Sequence, residues 1–137
     1  MAENRPYIPW DMIQGFMTDT FVAYGVPLED AKICTDVLLE SDRRGIESHG
    51  CNRFKPIYID RIVDGNQNPV TKIDILKETA TTAVLDANDG MGMVASHKAM
   101  EMAIEKAKKY GLSLNWFVLM LPFTNIILLS ASGPVWG

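Results

Sequence analysis

Cysteine is nearly absent from this sequence. The two present, Cys34 and Cys51, stand 17 positions apart with no Cys-x-x-Cys pair. They build neither a disulfide framework nor a zinc knuckle, and a reducing, cytoplasmic setting suits them. Positive charge is not in excess either: the net charge of −4 leaves no basic field to neutralise phosphates. Nucleic acid and an anionic membrane surface are thereby excluded as main partners. Met1 to Arg5 has no apolar run behind it, so it does not read as a secretory leader. No internal repeat and no low-complexity segment appears. What remains is a 137-residue chain, 47% hydrophobic and 22% charged, which fits one globular domain or part of one.

The most informative absence is regional. The 13 Lys and Arg and the 17 Asp and Glu all fall within positions 1–110, and Gly111 to Gly137 carry none. Three readings compete for this tail: buried strands, a membrane span starting near Leu112, or sequence foreign to the fold encoded upstream. The Leu, Ile, Val and Phe residues between Leu112 and Ala131 favour insertion by about −5 kcal/mol, but Asn115, Pro122, Asn125 and the hydroxyl residues bring the sum near zero. The span therefore ranks below the other two.

Apolar residues at steps of three and four (Ile13, Phe16, Met17, Thr20, Phe21, Tyr24) predict a helix over about 9–24. Gly25 stops it, and Pro27 opens a second helix, with Glu29 and Asp30 at its positive end and Cys34, Val37 and Leu38 inward, running to about Ser41. Pro56 is expected at the first position of a short third helix carrying Ile57, Tyr58, Arg61 and Ile62 and closed by Gly65, with a turn over 66–69. Residues 72–77, with Ile73 and Ile75 on one face, and 82–85 read as strands of a hairpin. Residues 91–110 form a helix with a small-residue face at Ala95, Ala99, Met102, Ala103 and Ala107, ended by Gly111, and 112–121 form the next strand. The fold class is α/β in the mixed sense, with N-terminal helices followed by strands and an alanine-rich helix.

Chemistry-bearing residues are densest over 42–53, Asp-Arg-Arg-Gly-Ile-Glu-Ser-His-Gly-Cys-Asn-Arg, between two predicted helices. Imidazole gives and takes protons near neutrality, so His49 is a candidate acid/base. Arg53 follows four residues later and shares its face if the segment is helical. A guanidinium grips a carboxylate while the imidazole serves the adjacent oxygen, a pair suited to 2-hydroxy or 2-oxo acids. The plainer readings stand beside it: a solvated histidine, Arg43 and Arg44 capping a helix C-terminus, and Ser48 capping a turn rather than orienting the imidazole. Cys34, His49 and Cys51 lack a recognised ligand spacing, so no metal is expected. Gly90-x-Gly-x-x-Ala95 fits a dinucleotide fingerprint, but no acidic residue follows Glu105 to hold a ribose, and the strand before it reads as a hairpin arm. It is set aside. His97 reads as a surface or packing residue.

The run from Asp42 to Gly50 resembles the signature of the malate/L-lactate dehydrogenase family, the type unrelated to the Rossmann fold. Gly25-Val26 with Glu29-Asp30-Ala31, Arg53 with Tyr58, Gly65, Glu78-Thr79 and Gly90 to Gly111 extend the resemblance over about 8–111. It implies a homodimeric dehydrogenase that moves hydride between a nicotinamide cofactor, NAD or NADP, and a small 2-hydroxy or 2-oxo acid. By the same resemblance His49 is the acid/base histidine, Ser48 stands beside it, and Arg44 and Arg53 occupy the substrate-binding arginine positions. The family continues past the glycine matching Gly111 with a strand and an Asn-x-x-His loop, whereas residues 112–137 contain no histidine. The expectation is an N-terminal portion of the dehydrogenase fold over 1–111 with a divergent or out-of-frame tail over 112–137. Such a chain would be inactive alone, with an unpaired apolar strand. The alternative is a helical interaction module with a C-terminal membrane-anchoring segment.

Overall fold

A computed structural model describes residues 7–119 and 125–132. The reading of Met1 to Arg5, and of 120–121 as the end of a strand, lies outside the described residues. The element order is α1 (Trp10–Ala23), α2 (Leu28–Arg43), a run of short turns leading to α3 (Asp60–Val63), β1 (Asp74–Glu78), β2 (Thr82–Asp86), α4 (Gly92–Tyr110), β3 (Leu112–Leu119) and β4 (Asn125–Ser132).

Helix α1 ends at a glycine because the chain must turn into left-handed space there, where a Cβ is penalised. Gly25 has φ +91°, its N–H donates to Val22 O, and the next N–H, of Val26, donates to Phe21 O at 3.0 Å. The buried face of α1 is narrower than its periodicity suggested: Met17 and Phe21 are sealed and Ile13 packs beside them, but Phe16 and Tyr24 are exposed. Phe21 meets the ring of Phe54 edge-on at 4.9 Å. Burying such a ring contributes about 2–3 kcal/mol. In α2, Cys34 and Leu38 face this core as expected, whereas Val37 is exposed.

Between α2 and α3 the backbone forms two 3₁₀ turns, Glu47–His49 and Cys51–Arg53, then a widened π turn over Phe54–Ile59. Pro56 therefore sits third in that turn, not at the first position of a helix. A proline ring collides with the carbonyl four residues back, and widening the turn gives it room.

The sheet order is β1-β2-β3-β4, with β1–β2 and β3–β4 antiparallel and β2–β3 parallel. Strand β2 is thus a hairpin arm and also the first strand of a β2–α4–β3 crossover, a context the sequence reading denied it. A register shift between Ile75 and Lys77 breaks the β1 alternation. Ile73 packs inward, while Ile75 on this edge strand stays exposed. Strand β3 is hydrogen-bonded on both sides, so the expected unpaired strand is not found. Among the described residues no helix is long and apolar enough to cross a membrane.

Helix α4 serves two cores. Met91 and Val94 pack with α1 and α2, while Ala95 and Ala99 lie against Ala83 and Leu85 of β2. Alanine lets helix and sheet approach closely, and the sealed Ala103 and Ala107 continue that face. Met102 is partly buried beside it.

Candidate active site

Helix α2 ends on Gly45, at φ +74°, with Gly45 N–H donating to Asp42 O and Ile46 N–H donating to Ser41 O at 2.8 Å. This paired closure turns the chain sharply out of the helix. His49 N–H then donates to Ile46 O at 3.0 Å and Arg53 N–H to Gly50 O at 2.9 Å. Ser48, His49 and Arg53 therefore sit on two separate single turns, not on one helical face.

Their side chains nevertheless converge on one residue. Ser48 Oγ lies 2.9 Å from His49 Nδ1, and Arg53 Nε donates to the Ser48 carbonyl at 2.7 Å. Ser48 caps no helix; its hydroxyl engages the imidazole. When the ring is neutral with its proton on Nε2, Ser48 O–H donates to Nδ1. When Nδ1 carries a proton, the ring donates to the Ser48 oxygen. His49 is exposed and Arg53 half-buried, so the imidazole and the outer guanidinium nitrogens can be reached from solvent.

Arg44 is placed elsewhere. Its Nε donates to Glu40 at 2.8 Å, Arg43 approaches the same carboxylate at 3.6 Å, and the Arg43 guanidinium stacks 4.7 Å above the Trp10 ring. The Arg44 hydrogen bond, followed by the charges of both arginines, holds the Glu40 carboxyl below its ordinary range. Both arginines line an open hollow of about 700 Å³ with Gln14, Asp36 and Ile46, which neither His49 nor Arg53 lines. The structure brings His49, Ser48 and Arg53 together and sets Arg44 apart at the helix end.

Both thiols are held in their protonated form. Burial first, then the Asp30 charge, pushes Cys34 up to about 12. Burial, followed by the hydrogen bond and charge of Asp42, pushes Cys51 up to about 12. A metal or a nucleophilic role needs the thiolate. Burial, then the charge at Cys34, raises the Tyr58 phenol, with Arg53 and Arg61 opposing.

Asp42 was missed as an individual residue in the sequence reading. A carboxylate in the last turn of a helix faces the negative end of the dipole, unfavourable by about 0.3–1 kcal/mol. That misplacement was the available signal. Asp42 accepts the Cys51 N–H at 2.8 Å, and its carboxylate presses on Gly50 so closely that a Cβ there would overlap Oδ1.

The Gly90 segment lies between β2 and α4 but is closed to a pyrophosphate. A Cβ on Gly90 would stand 2.8 Å from both Ala87 O and Thr71 Cγ2, and Met91 N–H already donates to the Thr71 hydroxyl at 3.0 Å. Gly90 permits close packing and does not cradle a nucleotide. His97 is exposed and pairs with Glu101 at 3.4 Å.

The profile of the family described as malate/L-lactate dehydrogenase matches residues 8–116. A malate dehydrogenase of Pyrococcus abyssi is 44% identical over 112 residues, covering 82% of this chain and 31% of that protein. An L-sulfolactate dehydrogenase of Methanocaldococcus jannaschii is 48% identical over 96 residues, covering 70% and 28%. The crystal structure of malate dehydrogenase from Entamoeba histolytica superposes with a TM-score of 0.80 at 43% identity, over 82% of this chain and 31% of that one. The chain thus spans about a third of the length of the relatives it matches.

Proposed function

From a chain that belongs to the malate/L-lactate dehydrogenase family, we propose a part in oxidoreduction of a small 2-hydroxy or 2-oxo acid with a nicotinamide cofactor, NAD or NADP. The observation that carries this reading is the meeting of the His49 imidazole and the Arg53 guanidinium on Ser48. Arg53 Nε is held by the Ser48 carbonyl, which leaves its remaining N–H groups to grip a substrate carboxylate. His49, its Nδ1 engaged by Ser48, uses Nε2 to deliver a proton to the 2-oxo oxygen, or to remove it from the 2-hydroxyl. Arg44 is likewise held through Nε, by Glu40 at the end of α2, whereas Arg53 is held on the residue that engages the imidazole, so Arg53 carries the carboxylate in this reading.

Among the described residues the one nucleotide-like segment does not fit the cofactor, because Thr71 occupies the Met91 N–H and fills the space beside Gly90. The 137 residues are proposed to supply the proton-transfer and carboxylate-binding part of the site. A homodimeric assembly and a cytoplasmic location belong to the same reading, the latter supported by two unpaired cysteines.

The test is loss of reduced-nicotinamide absorbance with pyruvate or oxaloacetate, using NADH and NADPH in turn. These residues alone are expected to give no turnover, and a chain extended to the relatives' length robust turnover. Turnover by the 137 residues alone would refute the division of the site. No turnover by the extended chain with any 2-oxo acid would refute the reaction.

A further inference from the structure

The segment holding the candidate site is short, exposed and broken into single turns, so something other than a helix or a strand must fix it. We infer that Asp42 is a positioning residue: its carboxylate ties the end of α2 to the Gly50–Cys51 joint and thereby sets how His49 and Arg53 stand to one another. The inference rests on the reading above that those two residues form the site.

The argument is a closed path of contacts. Asp42 Oδ2 accepts the Cys51 N–H at 2.8 Å. Gly50, the residue between the two 3₁₀ turns, is buried under the same carboxylate, and its carbonyl accepts the Arg53 N–H at 2.9 Å. Arg53 Nε returns to the Ser48 carbonyl at 2.7 Å, and Ser48 Oγ meets the His49 ring at 2.9 Å. Every link but one joins residues 48–53 to each other. The exception is Asp42, which anchors the loop to a helix whose own end is fixed by Gly45. A hydrogen bond to a carboxylate is shorter and stronger than one between neutral groups. Any side chain at 50 would displace the carboxylate from its place over this joint.

The test uses the ¹⁵N-labelled 137-residue chain, in which His49 and His97 are the two histidines. In Asp42→Ala the His49 ring ¹⁵N shifts should move to those of Ser48→Ala, and Cys51 amide exchange should accelerate at least tenfold. His97 should not move. Asp42→Asn keeps an acceptor oxygen and should recover most of the Cys51 protection. Adding Gly50→Ala to Asp42→Ala should change the His49 signature no further, because both disrupt one contact. Unchanged His49 shifts in Asp42→Ala would overturn the inference, as would additive effects of the two substitutions, or loss of folding in Asp42→Asn as well as Asp42→Ala. Titration with pyruvate separates this from the functional reading: no response at Arg53 or His49 in the parent chain counts against the site as a substrate site, while Asp42 is still judged by the ring signature.

Discussion

Two glycine-bearing links in this protein look alike on paper and are used in opposite ways. The link from α2 to α3 holds Gly45 and Gly50 and leaves His49 and Ser48 in solvent; the link from β2 to α4 holds Gly90 and seals Met91 and Thr71 inside. In the first, a carboxylate presses on a glycine beneath the exposed Ser48 and His49. In the second, a threonine presses on a glycine to close a core. What separates them is where the neighbouring polar groups end up. Buried N–H groups need partners, so the Met91 N–H of the second link is met by the Thr71 hydroxyl from the segment before β1, whereas the first keeps an imidazole and guanidinium nitrogens for something else.

Substitutions sharpen this contrast. The largest effect is expected from His49→Ala in a chain of the relatives' full length: kcat should fall about 10²- to 10⁴-fold, with thermal stability nearly unchanged because the ring is exposed. An unaltered kcat would remove His49 from proton transfer. Gly90→Ala should do the reverse, losing about 1–3 kcal/mol in urea unfolding because the new methyl meets a backbone carbonyl and Thr71. Wild-type stability there would mean that the second link tolerates a side chain and the contrast fails. Thr71→Val, which strands the buried Met91 N–H, should cost about 1–3 kcal/mol, and Thr71→Ser should recover most of it.

A pH experiment reaches the core beneath the first link. The buried Cys34 thiol rises from its ordinary 9.0 to about 12, so its folded-state pKa lies above the unfolded one. Its contribution is fully present below pH 9 and is lost as pH climbs toward 12, because the unfolded chain releases the proton first. Urea midpoints measured from pH 8 upward should therefore fall, and Cys34→Ala should flatten the fall. An equally steep decline in the variant would place the sensitivity elsewhere. The smallest effect expected is a gain: Gly15, in the middle of α1 with open space where its Cβ would stand, should stabilise the protein by about 0.5–1 kcal/mol when changed to Ala. A loss there would show that α1 needs glycine for something besides the helix.

Much of this was legible in the sequence because it rests on local rules. Gly25, Gly45, Gly65 and Gly111 all take positive φ, and each closes a helix. The alanine stripe of α4 and the β1–β2 hairpin follow from periodicity alone. Ser48, His49 and Arg53 could be named from their residue types, and the family from the run around them. The misreadings share a cause. Exposure of Phe16, Tyr24 and Val37 depends on how wide a face the partner helix covers, which no one-dimensional pattern contains. The double role of β2, hairpin arm and crossover strand, became visible only when β3 was seen beside it.

Local chemistry thus determined where helices start and stop, which turn carries an imidazole beside a hydroxyl, and which family the chain falls in, because capping, periodicity and side-chain type act over a few residues. Tertiary structure alone decided that Gly90 serves packing and that Asp42 reaches across to Gly50 and Cys51. Those outcomes depend on which groups meet across a turn or between layers, and contact between residues distant along the chain is fixed only when the whole chain has folded.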